Sequence, residues 1–150
     1  MDKKERIIET LAATFHENWR DGRLMDDWRY RPMMEKSKDY EWNMGHWTDV
    51  VDIANTKFED LPSNRRHENL EAAKVVVDLL YEKLLNWKEI TRRMIEEMSE
   101  IIHNKWLERN WVAWSFEYQR VEYQQLSEEE KAKDRNQLLQ AIEIVKKCSE

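Results

Sequence analysis

A duplicated set of landmarks constrains the fold of this chain more than any other feature of its sequence. The motif His-x-x-Trp occurs at residues 16–19 and again at residues 103–106. An aromatic-x-x-Leu motif follows each copy, at residues 58–61 and 123–126. From that leucine onward the apolar and polar positions of the two copies keep one register. Landmarks that recur in the same order predict two copies of one structural unit.

The first copy carries an insertion. The interval from His16 to Leu61 is 45 residues, whereas the interval from His103 to Leu126 is only 23 residues. We place the inserted loop at about residues 31–55. Long loops inside compact domains are usually functional or disordered, and the many tryptophans and tyrosines here favour an ordered, functional loop.

Helical periodicity predicts four helices, at about residues 3–20, 62–85 and 94–106 and from residue 127 onward. The last helix opens with a capping box, in which the Ser127 hydroxyl accepts from the Glu130 amide and the Glu130 carboxylate reaches back. Residues 114–118 alternate in polarity and predict a short strand, which would pair with residues 28–30.

Composition limits the class of protein. A chain of 150 residues suits one compact domain, and 41% hydrophobic residues with 8 tryptophans argue against disorder. The net charge of −6 disfavours nucleic acid as a partner, since phosphates require basic surfaces. The chain has no apolar run long enough for a membrane span. Its start also lacks a secretion signal. Its single cysteine, Cys148, fits a reducing compartment, so we expect a cytoplasmic protein without membrane contact.

Together the landmarks resemble the ryanodine-receptor-type repeat, or RyR domain. The matching stretches are residues 16–19, 23–30 and 58–62 in the first copy and residues 103–106, 114–116 and 123–135 in the second. The run Leu-Ser-Glu-Glu-Glu-Lys-x-x-Asp-Arg at residues 126–135 is the most family-like. The resemblance covers about residues 7–82 and 94–147. The first copy departs from the family by its insertion and by a basic helix start at residues 62–67, and the second lacks the usual glycine before its tryptophan.

The resemblance implies a mainly α fold of two pseudo-symmetric antiparallel helical hairpins, with short extended segments between them. We expect one compact domain over residues 1–150, with repeat one at residues 3–86 and repeat two at residues 88–148. Stand-alone bacterial and phage-type members of the family resemble ligand-sensing or interaction modules. Nucleotide-derived ligands have been suggested for them, and the resemblance implies no enzymatic activity and no cofactor.

Equivalent histidines and clustered aromatics are the first candidates for a ligand site. His16 and His103 each precede a tryptophan by three residues. They either bond the backbone and pack under an aromatic ring, or face a ligand between the repeats. Trp28, Tyr30 and Trp114 are likewise either core residues or a binding platform.

Arginines beside aromatic residues suggest a site for an anion. Arginine binds phosphate while a neighbouring tryptophan or tyrosine stacks on a base, although salt bridges to nearby acids are the alternative interpretation. The predicted ligand-binding residues are therefore His16, Trp19, Trp28, Arg29, Tyr30, Arg65, Arg66, His103, Trp106 and Trp114.

Three functional hypotheses follow. The leading one is a non-enzymatic sensing module that holds a small anionic, nucleotide-like ligand near the seam between the repeats. The second is an acidic protein-interaction module, such as a phage-encoded inhibitor or adaptor. The third is a metal-dependent, all-helical nucleotide hydrolase that uses Glu68, Glu71 and Asp78, although a solvated helix face explains the same acids. The chain has two glycines and no phosphate-loop motif, which excludes Walker-type and dinucleotide-fold chemistry. The sequence also allows a homodimer.

Overall fold

The computed structural model describes residues 2–83, 90–110 and 123–149. Helices dominate these residues, which confirms the predicted mainly α class. The elements in chain order are α1 (Lys3–Asp21), β1 (Met34–Lys36), α2 (Tyr40–His46), β2 (Val50–Asp52), α3 (Ser63–Lys83), α4 (Arg92–Asn110) and α5 (Glu128–Ser149). Single turns of 3-10 helix occur at Ile53–Asn55, Phe58–Asp60 and Tyr123–Gln125. Among the described helices, none is long and apolar enough to span a lipid bilayer.

Helix α1 forms where the sequence predicts it, because its first turn is capped and its apolar residues share one face. The Asp2 carboxylate accepts a hydrogen bond of 2.8 Å from the amide of Glu5. This bond satisfies one of the N–H groups that a helix start leaves without an internal partner. Leu11 and Phe15 are buried, and α1 contacts the 3-10 turn at residues 58–60.

The segment predicted to be an inserted loop contains a small antiparallel sheet. Strand β1 pairs with β2, and Glu35 lies opposite Val51 in the centre of the ladder. Val51 is buried at 2% exposure. The sheet continues for one bond beyond β1, where the Ser37 amide donates to the carbonyl of Asp49 over 2.7 Å.

Helix α2 lies between the two strands, and the sequence did not predict it. None of its residues is buried, so burial of an apolar face does not explain why this segment is helical. A local signal starts it instead, because the Asp39 carboxylate accepts a hydrogen bond of 3.2 Å from the amide of Trp42.

Helices α3 and α5 share four buried positions counted from their leucine landmarks. These are Ala73, Val76, Val77 and Leu80 in α3 and Leu138, Ala141, Ile142 and Val145 in α5, and α3 also buries Leu79. Each large aliphatic side chain in these sets contributes about 1.5–3 kcal/mol through burial. The Ser127 hydroxyl accepts from the Glu130 amide over 3.2 Å, which confirms that half of the predicted capping box. Helix α4 packs against α5.

Contacts divide the chain into two units, residues 1–73 and residues 74–150. The predicted boundary between the repeats, at residues 86–88, lies outside the described residues. The single domain, the repeat bounds and the antiparallel hairpins therefore stay predictions. The strand expected at residues 114–118 also lies outside the described residues, and its expected partner Tyr30 forms an isolated bridge with Leu24.

Candidate functional site

The His16 side chain is buried and bonded to the backbone. Its Nε2 lies 2.8 Å from the carbonyl oxygen of Thr56. A carbonyl can only accept, so Nε2 carries a hydrogen and donates this bond. The ring stacks on Trp19 at a centroid distance of 5.9 Å and is tilted by 51° against Phe58 at 6.5 Å. We call His16, Trp19 and Phe58 the His16 cluster.

The second histidine has the same aromatic surroundings. The His103 ring stacks on Trp106 at 6.0 Å and is tilted by 52° against Tyr123 at 6.3 Å. We call these three residues the His103 cluster. Both histidines are nearly inaccessible, at 3% and 4% exposure. Each ring is thus held between a tryptophan three residues ahead on its own helix and an aromatic residue on a 3-10 turn.

The two clusters differ in the polar residue at the corresponding position of the following helix. Unit 2 has Asp134 there, and its Oδ2 lies 3.6 Å from Nδ1 of His103. Burial raises the pKa of the Asp134 carboxyl to about 6, and the positive charge available on His103 opposes the rise. Unit 1 has the neutral Asn69 at this position.

The His103 cluster belongs to a network of charged hydrogen bonds. The Tyr123 hydroxyl donates to Glu96 over 2.8 Å, and Arg135 donates to the same carboxylate over 2.7 Å. These two bonds, with Arg135 first, lower the pKa of Glu96. Burial and the bond to Glu96 raise the pKa of the Tyr123 hydroxyl well above its usual range. Phe58 stands in the place of Tyr123 in the His16 cluster and has no hydroxyl.

A cleft of about 270 Å³ lies beside the His16 cluster, entirely within unit 1. Three parts of the chain form it: α1, the inserted loop with its sheet, and the region where α3 begins. The lining residues are His16, Trp19, Met33, Glu35, Ile53, Leu61, Arg65, Glu68 and Asn69. The segment predicted to be an inserted loop therefore supplies part of the cleft wall, through Met33, Glu35 and Ile53.

The only arginine on the lining is flanked by acids. Arg65 Nε donates to the carbonyl of Lys36 over 3.0 Å. Its Nη1 lies 3.7 Å from Glu35 and 3.6 Å from Glu68. The guanidinium is 18% exposed and is fixed by these contacts. Within the described residues, the side-chain amide of Asn69 has no hydrogen-bond partner, so its donor and acceptor are open to a ligand.

Three predicted residues of the first copy lie in the turn after α1 and do not line the cleft. The Trp28 side chain is 83% exposed, and its backbone is left-handed with φ of 66°. Arg29 is exposed and lies 3.8 Å from Asp27. Tyr30 is half-buried under the guanidinium of Arg20, at 4.4 Å from the ring centroid.

Arg66, His103 and Trp106 are not among the residues that line the cleft. Arg66 is half-buried. The pKa of Asp39 is lowered chiefly by the hydrogen bond from the Ser63 amide, and the charge of Arg66 lowers it further. Trp114 lies outside the described residues. The cleft thus brings together His16, Trp19 and Arg65 of the ten predicted residues.

Sequence reasoning missed three polar residues of this region. Glu35 and Asn69 line the cleft. Arg20 is buried and donates to the carbonyl of Ala54 over 2.8 Å. Only Asn69 had a signal, since the repeat register places it opposite Asp134.

Two of the three acids considered for a metal site lie beside a cation on α3, and the third lies beside a histidine. Glu68 is 3.6 Å from Arg65, and Asp78 is 2.8 Å from Lys74. Glu71 lies 3.9 Å from a histidine one helical turn away. Over residues 2–83, 90–110 and 123–149, no group of three or more potential ligands is placed to hold a metal ion. These contacts are typical of a solvated helix face.

Comparison of the chain with protein-family models, with curated proteins and with solved structures finds no match. Membership of the RyR-type repeat family therefore stays a prediction from the sequence motifs, and the function must be argued from the residues themselves.

Proposed function

We propose that this protein is a non-enzymatic binding module of RyR-repeat type and that the cleft in unit 1 holds a small, nucleotide-like ligand. The observation that carries the proposal is the cleft itself, which gathers His16, Trp19 and Arg65 beside an open amide on Asn69. Concave sites with aromatic walls and a few placed polar groups are the usual form of small-molecule sites.

The proposed repeat relation rests on the two aromatic clusters. Both have nearly the same ring distances and tilts. Four of the six buried positions of α1 recur in α4 at a constant offset in sequence, as Leu11, Ala12, Phe15 and His16 against Met98, Ser99, Ile102 and His103. Two unrelated helices would have no reason to share either feature.

The size and polarity of the cleft favour a nucleobase or nucleoside. Its volume of about 270 Å³ lies just below the range of about 300–1,000 Å³ typical of ligand pockets. Trp19 is 36% exposed and forms an aromatic wall of the cleft, with the Arg23 guanidinium 5.2 Å from its ring centroid. The Asn69 amide presents one donor and one acceptor, the pair that recognises an adenine edge.

The charges of the lining residues favour the base, rather than the phosphate, as the part of the ligand that lies inside the cleft. Arg65 already lies between Glu35 and Glu68, so these lining groups carry one positive and two negative charges. A phosphate in the cleft would be repelled by the two carboxylates. We therefore expect a nucleoside to bind at least as tightly as its monophosphate, with any phosphate outside the cleft.

Thermal unfolding of the full chain in the presence of each common nucleoside and its monophosphate tests this function. A ligand that binds only the folded protein adds about 2.7 kcal/mol of stability at a hundred times its dissociation constant. The gain should disappear in Asn69→Ala and persist in Asn136→Ala, which removes an exposed asparagine of α5. No gain with any of these ligands, or a gain that survives Asn69→Ala, would contradict the proposal.

A further inference from the structure

Two charged side chains in the wall of the cleft keep hydrogen-bonding groups that no described residue uses. Glu35 and Arg65 both line the cleft. Nη1 of Arg65 lies 3.7 Å from Oε2 of Glu35, which is an ion pair but longer than a hydrogen bond. Within the described part of the chain, the Glu35 carboxylate accepts no hydrogen bond, and Nη1 and Nη2 of Arg65 donate none. A donor and an acceptor therefore lie side by side and open to a ligand.

Hydrogen bonds between β1 and the start of α3 hold both groups in place. Arg65 Nε and Asn64 Nδ2 donate to the carbonyl of Lys36, over 3.0 and 3.3 Å. Lys36 directly follows Glu35 on β1. The Glu35 side chain is 32% exposed and the Arg65 side chain 18%, so both are partly shielded from water. A shielded carboxylate without a hydrogen-bond donor is unfavourable, and a ligand with N–H groups would supply the donors.

The Watson–Crick edges of the purines differ in the order of their donors and acceptors. Guanine presents the O6 acceptor and then two donors, the N1–H and N2–H₂ groups. Adenine presents the N6–H₂ donor and then the N1 acceptor, which is the reverse order. An arginine beside a carboxylate is a donor followed by two acceptor oxygens. This pair complements the edge of guanine and opposes the edge of adenine.

The Asn69 amide does not decide between the two purines. Its donor and acceptor fit N7 and the N6–H₂ group of adenine. They equally fit N3 and the N2–H₂ group of guanine, which also offer one acceptor and one donor. The choice of base therefore depends on Glu35 and Arg65.

We propose that the cleft selects guanine, with the Glu35 carboxylate accepting from N1–H and N2–H₂ while an Nη group of Arg65 donates to O6. This inference rests on the proposed function, because it names the base of the nucleoside that the cleft holds. Hydrogen bonds to a carboxylate are stronger than those between neutral groups. Adenine would instead bring the lone pair of its N1 against the carboxylate and leave that acceptor without a donor.

Dissociation constants of the full chain for guanosine, inosine, N1-methylguanosine and adenosine, measured by isothermal titration calorimetry, test the proposal. Guanosine should bind at least about fivefold tighter than adenosine, as expected for one bidentate contact to a base edge. Inosine lacks the N2–H₂ group and N1-methylguanosine lacks the N1–H group, so both should bind more weakly than guanosine. Equal or tighter binding of adenosine or of N1-methylguanosine overturns guanine selection and leaves the proposed function standing. Absence of binding by all of these nucleosides contradicts both proposals.

A conservative variant identifies the carboxylate that reads the base. Glu35→Gln keeps the size of the side chain and replaces one acceptor oxygen by an NH₂ donor, so the preference for guanosine over adenosine should fall at least about fivefold. Glu71→Gln is the matched control, because it changes an acid of α3 that does not line the cleft. Circular dichroism checks the fold of both variants. A preference that is unchanged in Glu35→Gln, or lost to the same extent in Glu71→Gln, overturns the proposal.

Discussion

Replacing Asp134 by asparagine tests the electrostatic difference between the two aromatic clusters. The carboxylate is buried beside His103, with Oδ2 at 3.6 Å from Nδ1, and Asn69 occupies the corresponding position in the first copy. Burial raises the pKa of the Asp134 carboxyl from 3.8 to about 6, and His103 opposes this rise. The asparagine has nearly the same shape and never ionises.

The sign of the effect follows from proton linkage. Between a pKa of 3.8 in the unfolded chain and about 6 in the folded one, only the folded chain keeps the proton. Stability therefore falls as the pH rises through this interval and stays low above it. The difference corresponds to about 3 kcal/mol, since each pKa unit is worth about 1.4 kcal/mol. Because 20% of the side chain is exposed, solvent screens part of this penalty, and we expect a gain of about 1–3 kcal/mol for the variant above pH 7.

Urea unfolding of wild type and Asp134→Asn, followed by circular dichroism from about pH 4 to about pH 8, measures this gain. The gain in stability should be largest at high pH. It should vanish near pH 4, where residue 134 is uncharged in the folded wild type and in the folded variant. Asp49→Asn is the control of opposite sign, because the hydrogen bond from Lys36 lowers the pKa of Asp49. A loss of stability for Asp134→Asn at about pH 8 would show that His103 is charged and holds the carboxylate, and would refute the reasoning.

Three further substitutions have defined effects on the free energy of unfolding, measured by urea titration. Trp47→Gly should stabilise the protein by about 1 kcal/mol, because a left-handed cap favours glycine; a loss would mean that Trp47 packs on the chain. Tyr123→Phe should cost about 1–2 kcal/mol by removing the hydroxyl bonded to Glu96, and no cost would mean that Arg135 alone satisfies this carboxylate. Arg20→Ala should cost about 1–3 kcal/mol, since it leaves a carbonyl without its bond; a neutral result would contradict a structural role for this guanidinium.

The helices were predictable from sequence where burial left a pattern. Helix α1 was expected at residues 3–20 and covers Lys3–Asp21, because one face is buried along its length. Helix α5 was located by a different signal, the capping box at Ser127. Helix α2 escaped prediction, since it spans only seven residues, too few for a sustained helical period, and none of them is buried.

The candidate site was predictable only in part, because the cleft is formed by residues that are far apart in the sequence. His16 and Trp19 were found through a local motif on α1. Glu35 comes from β1, and no spacing in the sequence indicates that it lies beside Arg65 of α3. The exposure of Trp28 depends on the turn after α1, which aromatic content alone could not reveal.

The polar residues suggest how the two proposed repeats have diverged. In the His103 cluster the Tyr123 hydroxyl is bonded to Glu96, and the Asp134 carboxylate lies beside His103. In the His16 cluster phenylalanine and Asn69 replace the corresponding tyrosine and aspartate, so the amide is left without an internal partner among the described residues. The inserted loop supplies walls around that amide. The amide without an internal partner and the walls of the cleft lie at one place, which is why we propose ligand binding for the first copy and a structural role for the network of the second.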